Sequence, residues 1–164
     1  MLLPMLLTTQ ALAQVPVTTP SFGSAVSTER QGGSFGLGVA VGAPAGVTGK
    51  LWVGDWSGVQ FTVGADLGRL GELAGNVDYV IHFRPIDTGT DEYSIPIYIG
   101  AGLSGSWNWT EYQKGYFGPR IVTGMTVLVT AMPIDIYVEL APTFYVVEDL
   151  SWSIDGQLGA RYYF

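Results

Sequence analysis

Trp152-Ser153-Ile154-Asp155-Gly156-Gln157-Leu158-Gly159-Ala160-Arg161-Tyr162-Tyr163-Phe164 alternates between two kinds of residue. Trp152, Ile154, Gly156, Leu158, Ala160, Tyr162 and Phe164 form one set, and Ser153, Asp155, Gln157, Gly159, Arg161 and Tyr163 the other. Successive side chains of a strand point to opposite faces, so the stretch reads as a strand with one apolar and one polar face. The apolar face carries aromatics at both ends and small aliphatics between them. That is the layout of a strand facing lipid, with rings at the two headgroup levels. An acid, an amide and a base occupy the other face, where a soluble core would not hold them.

The whole chain agrees with this reading. Of 164 residues 48% are hydrophobic and only 13% charged, which leaves few charges to coat a soluble surface. Mean hydropathy is +0.30. No apolar run is long enough for a membrane-spanning helix, and a closed β-barrel is the other way to satisfy backbone groups in lipid. The net charge of −7 comes without a basic patch, so a nucleic-acid partner is not expected. With no cysteine there is no disulfide, no Cys metal site and no Cys nucleophile.

Working back from the final strand, the same period of two predicts seven more, at about Ser34–Gly42, Val47–Val53, Gly58–Leu67, Gly75–Arg84, Ile95–Trp109, Pro119–Thr130 and Asp135–Val147. Turns are expected at Ala43-Pro44-Ala45-Gly46, Gly54–Ser57 and Ala131–Ile134, and loops at Gly68–Ala74, Pro85–Ser94 and Thr110–Gly118. The connections suit antiparallel neighbours. The expected fold is all-β: an eight-stranded antiparallel up-and-down transmembrane β-barrel over residues 34–164, with no helical domain. Residues 14–33 read as a flexible segment rich in Ser, Thr, Gly and Pro. Residues 1–13 read as the end of an export signal, apolar and closing on Ala11-Leu12-Ala13, with its basic start upstream of Met1.

A soluble, lipocalin-like barrel would also alternate. It would turn the Gly, Ser, Thr and Tyr face to water with too few charges. The opposite arrangement sends Lys50, Asp66, Asp78, His82, Arg84, Arg120, Glu139, Asp155, Gln157 and Arg161 into the lumen, where both signs can pair. With both termini on the periplasmic side, Trp52, Trp56, Phe83, Tyr162 and Phe164 would form one aromatic girdle. Trp107, Trp109, Tyr145 and Trp152 would form the other.

The eight-strand pattern, the charged lumen and the terminal Tyr162-Tyr163-Phe164 resemble small Gram-negative outer-membrane β-barrels of the OmpA-transmembrane-domain type. Residues 42–52, Asp78-Tyr79-Val80-Ile81-His82 and Pro133–Pro142 are similar to an OmpA-like barrel family with no settled activity. The resemblance implies an outer-membrane location, contact with lipid and lipopolysaccharide, and a final strand whose Tyr162 and Phe164 are read by the barrel assembly machinery. It implies no cofactor and no catalytic residue.

Other chemistry is thin. His82 is the only histidine. It could enter a Ser–His–acid set with Ser104 or Ser106 and Asp78 or Glu139, as in lipid-A-modifying barrels, but a lumen histidine bonded to Asp78 or a neighbour is the simpler reading. One His without Cys makes a poor metal site. Asp87, Asp91 and Glu92 match no calcium-loop spacing and read as solvated surface. Tyr112, Tyr116 and Phe117 are the candidates for contact with lipopolysaccharide or a partner. The expected function is a monomeric, non-enzymatic outer-membrane barrel with a structural or surface-interaction role. A narrow ion or small-solute channel is the alternative, and a lipid-A-modifying enzyme a more distant one.

Overall fold

The computed structural model describes residues 32–66, 72–89, 92–108, 115–147 and 150–164. The expected export signal, nearly all of the segment 14–33, Asp91, Trp109 and Tyr112 lie outside them. Among the described residues every regular element is a strand: β1 (Phe35–Gly42), β2 (Ala45–Trp52), β3 (Ser57–Ala65), β4 (Glu72–His82), β5 (Tyr93–Ser94), β6 (Ile97–Asn108), β7 (Gly115–Val129), β8 (Ile134–Tyr145) and β9 (Ser151–Tyr163). Each long strand pairs antiparallel with its neighbours in sequence, and β1 closes the sheet on β9. The two-residue β5 adds no wall. Tyr93 pairs Val129 in the same register in which Ile97 of β6 pairs Met125, so β5 is the start of β6, broken at Ile95-Pro96. The result is a closed barrel of eight strands.

Several boundaries move. β2 begins at Ala45, leaving only Ala43-Pro44 as the turn. Glu72 and Leu73, expected in a loop, open β4 and pair with Asn108 and Trp107. β7 begins at Gly115 and draws in Tyr116, Phe117 and Gly118. Turn-forming composition marked these stretches as loops, yet pairing with an existing strand carried them into the sheet. Proline has the reverse effect. The β7–β8 pairing lapses between Arg120↔Thr143 and Thr123↔Leu140, at the level of Pro142, which brings no N–H to a ladder.

The register fixes the tilt. Gly36 pairs Lys50, Lys50 pairs Gln60, Gln60 pairs Asp78, and Asp78 pairs Gly102. Gly102 pairs Arg120, Arg120 pairs Thr143, and Thr143 pairs Ser153. Yet Gly36 itself closes on Tyr163, ten residues along β9 from Ser153. A stagger of ten residues of rise against eight inter-strand spacings inclines the strands by about 40° to the barrel axis. This row also carries Lys50, Gln60 and Asp78 on consecutive strands and, past Gly102 of β6, Arg120 on the same face.

That face points inward. Lys50, Asp78, His82, Arg120, Asp135, Glu139 and Arg161 are all buried, while Val39 is 66% exposed, Leu140 55% and Leu158 52%. The hydrophobic side chains form the outer wall and the charges fill the middle, the inverse of a soluble domain. Apolar packing inside is confined to two clusters, Val80 with Tyr98, Val122 and Ala141, and Trp52 with Leu128 and Tyr163.

Candidate functional site

Among the described residues the lumen is where the chain gathers its chemistry, and glycine makes the room for it. A Cβ on Gly102 would meet Asp78 Oδ1. One on Gly124 would come within 2.6 Å of the Tyr98 ring, and one on Gly159 within 2.6 Å of the Tyr137 ring. These glycines lie beside the largest inward side chains and let them cross the barrel.

Glu139, on β8, is the centre. Its Oε2 accepts hydrogen bonds from Gln60 Nε2 at 2.8 Å and Tyr98 Oη at 2.9 Å, and its Oε1 from Arg120 at 3.2 Å. Arg120 Nε also lies 3.1 Å from Asp78 Oδ1. One guanidinium therefore joins two carboxylates, and five strands, β3, β4, β6, β7 and β8, meet on Glu139 and Arg120. With all these groups nearly or wholly out of solvent, each charge persists only because its partner is there.

Nearer the termini Arg161 stacks 3.8 Å over the Tyr137 ring, donates through Nε to Thr48 at 3.2 Å, and approaches Asp135 at 3.5 Å. Asp135 also accepts from the Tyr163 hydroxyl at 2.8 Å. Lys50 Nζ lies 2.7 Å from His82 Nε2, over the faces of Trp52 and Tyr98. His82 Nδ1 is 3.2 Å from the Trp56 carbonyl. An ammonium can only donate, so Nε2 accepts and Nδ1–H donates to the carbonyl. Trp52, Leu128 and Tyr163, with Trp56 against them, form a floor across this end.

Towards the other end the side chains are smaller and more open. Asp155 is half-buried and accepts from Thr143 at 2.8 Å and Ser153 at 2.9 Å. Gln157 donates to the Pro44 carbonyl at 2.6 Å and lies 3.4 Å from Thr62. Tyr116 and Tyr145 meet edge to face at 5.8 Å.

Against the sequence-based expectations, Lys50, Asp78, His82, Arg120, Glu139 and Arg161 lie together in the lumen. Asp155 sits at its more open end. Asp66 lies just past β3, half-buried, with its N–H on the Glu72 carbonyl. Arg84 is exposed beyond the end of β4, because the strand stops at His82 before the alternation can turn Arg84 inward. The partner expected for His82 was Asp78 or a neighbour; the partner is Lys50 from β2. Asp78 is engaged by Arg120, and no Ser104, Ser106, Asp78 or Glu139 contact reaches His82 among the described residues.

Two girdle assignments are corrected. Trp52 is 5% exposed and Tyr145 is 6%, both inside the barrel. Both share the parity of the polar residues on their own strands, Lys50 and Glu139, and alternation outweighs the preference of aromatics for an interface. Trp56 is half-buried on the floor cluster. Phe83, Trp107, Trp152, Tyr162 and Phe164 do face outward. Of the contact candidates, Tyr116 turns into the barrel and Phe117 outward. Asp87 accepts from the Gly89 N–H within its own turn.

Asp135 and Glu72 are buried charges the expected lumen set lacked, Asp135 although its parity with Glu139 marked the face and Glu72 because it was expected in a loop. Gln60, Tyr98, Tyr137 and Thr48 also point into the lumen and join its network, which the expected set does not include, because a period of two says which way a side chain points and nothing about what lies across the barrel. Among the described residues no three His, Asp or Glu side chains gather as a metal site.

The architecture has a solved counterpart. The chain is similar to the N-terminal β-barrel domain of Pseudomonas aeruginosa OprF, known from a crystal structure, with a TM-score of 0.55 and 17% identity over 80% of this chain and 98% of that one. At this identity the likeness establishes the fold. Neither a protein-family model nor a curated protein sequence matches the chain.

Proposed function

We propose that this protein is an integral outer-membrane β-barrel whose lumen is a structural plug rather than a catalytic centre. The observation that carries the reading is the inversion of polarity: long apolar side chains around the whole outer wall, ion pairs and hydrogen bonds within. A surface so apolar is unstable in water and at home in hydrocarbon, while closure leaves few backbone groups unpaired. The OprF barrel domain supports the same setting by likeness of fold. Outer-membrane lipid and lipopolysaccharide are the partners this surface calls for. The final strand, with Tyr162 and Phe164 outward, is the candidate signal for the assembly machinery. Neither a cofactor nor catalysis is part of the proposal, and the chain is taken to act as a monomer.

The channel reading rests on the polar side chains that line most of the lumen. Against it stand the Glu139–Arg120–Asp78 cluster across the middle and the Trp52–Leu128–Tyr163 floor. Refolding into lipid vesicles with an entrapped solute tests both readings. The plug predicts a β-sheet circular dichroism spectrum, protection of the barrel from protease, and no solute flux above protein-free vesicles. Flux through the unaltered barrel overturns the plug, and failure to insert overturns the membrane reading.

A further inference from the structure

The barrel wall is not of even height. At the end holding the termini the strands from β9 round to β4 finish nearly flush, while the β5–β7 pairing runs on past that level: Gly36 pairs Tyr163, the Phe164 N–H reaches the Phe35 carbonyl, Trp52 pairs Gly58 and Ser57 pairs Ile81. At the other end they do not. β1 and β2 have 8 residues each, against 12 in β6 and β8, 13 in β9 and 15 in β7. The β1–β9 pairing stops at Gly42↔Gln157, with one more bond from the Ala43 N–H to the Gly156 carbonyl. Ser151–Asp155 of β9 therefore rise above the β1–β2 turn with no β1 residue beside them. Five residues of strand inclined at about 40° stand about 12 Å higher than the turn.

The outer side chains follow the same step. On β1 and β2 the apolar surface ends with Val41 and Val47, both aliphatic and half-exposed or more. Above that level the far aromatics, Trp107, Phe117, Phe144 and Trp152, all belong to β6–β9. Trp152 and Ile154 are 68% and 63% exposed. The wall of β1 and β2 spans about 20 Å of hydrocarbon, less than the roughly 25 Å band of outer-membrane barrels, while the β6–β9 wall exceeds it.

We infer that the β1–β2 wall is a contact surface for a locally thinned leaflet, where lipid on the turn side is drawn down to the level of Val41. The inference rests on the membrane reading above. Mismatch between apolar wall and bilayer has a free-energy cost for every ångström, and it is relieved either by thinning the lipid or by tilting the protein. Tilting is opposed here by the flush opposite rim. Raising the β1–β2 side would pull Val53 and Phe35 up into hydrocarbon and push the outward Trp152 and Leu150 further into water. Thinning leaves both in place. The partner of this surface is thus lipid with a short or disordered acyl span, and the taller β6–β9 wall holds lipid of ordinary thickness.

The chain has no cysteine, so single-site labels are clean. Val41→Cys, Trp152→Cys, Val53→Cys and Leu140→Cys, each carrying a small fluorophore, are refolded into dioleoylphosphatidylcholine vesicles. Depth is read from quenching by lipids with a nitroxide at the headgroup or deep in the chain. Thinning predicts headgroup depth for Val41, Trp152 and Val53 alike, and a deep Leu140 label. A Val41 label about 12 Å deeper than the Trp152 label means a level bilayer and overturns the inference. A shallow Val41 label with a deep Val53 label means tilt and also overturns it. A Leu140 label beyond reach of the deep quencher overturns the membrane reading itself, which a deep Val41 label beside a deep Leu140 label leaves standing.

Discussion

Glu139 holds three donors from three other strands, and its removal tests the lumen most directly. Glu139→Ala leaves Arg120 with Asp78 alone and strips the acceptor from Gln60 and Tyr98. Breaking one member of a buried charged set costs about 3–5 kcal/mol. The expected result is a urea midpoint for unfolding from vesicles or micelles lowered by that much free energy. Glu139→Gln keeps an acceptor and the shape, and falls between Glu139→Ala and the unaltered protein. Equal stability of all three would mean that water replaces the network without loss. At this scale the sequence was informative about direction and silent about distance. Parity put Lys50, Asp78, Arg120, Glu139 and Arg161 inside, but the pairing of Arg161 with Asp135 depends on the β8–β9 register and that of Lys50 with His82 on how β2 and β4 flank β3, and no single strand's pattern gives either. The misplacement of Trp52 and Tyr145 has the same lesson: residue type suggested an interface, and the two-residue period of the strand decided otherwise.

At the level of strands, the small residues of the inner face are as informative as the charges. Gly124 lies beneath Tyr98, whose hydroxyl reaches Glu139. Gly124→Ala adds a methyl group 2.5 Å from the Val138 carbonyl oxygen and 2.6 Å from that ring, so the β8 backbone and the ring must both give and the Tyr98 bond to Glu139 stretches. Overpacking of this kind costs about 1–3 kcal/mol. Gly105→Ala is the comparison, since its Cβ meets nothing nearer than 3.4 Å. The expected outcome is a lowered unfolding midpoint for Gly124→Ala and a small change for Gly105→Ala; the reverse order would contradict the packing described. Strand number and face were legible because apolar side chains outside and charges inside give every strand the same strong alternation. Strand ends were not. Glu72 and Tyr116 were read as loop because their neighbours are turn formers, whereas pairing with β6 determined where those strands begin.

For the whole molecule, the floor and the charged middle are two barriers in series. Trp52→Ala opens the floor, and Arg120→Ala removes the cation that joins Asp78 to Glu139. Planar-bilayer recording should show no steady conductance for the unaltered barrel or either single variant. The double variant should conduct if it remains folded by circular dichroism. Conductance in the unaltered barrel would make the lumen a channel. A silent, folded double variant would show a further barrier elsewhere in the lumen.

The hydrogen bonds across the lumen also say when the barrel can form. Gln60 reaches Glu139 over 79 residues, Tyr137 reaches Thr48 over 89, and Arg161 reaches Thr48 over 113. A hairpin of β2 and β3 alone would carry Thr48 and Gln60 with neither Arg161 nor Glu139 to answer them. Early hairpins therefore have a side that lipid rejects, and they gain little by entering it one at a time. Contacts this distant in sequence are closed late and slowly, at the entropic cost of a large loop. The expected kinetics are a long lag at the bilayer surface followed by insertion and closure in one concerted phase, in which β1 meets β9 as the hydrogen bonds across the lumen form.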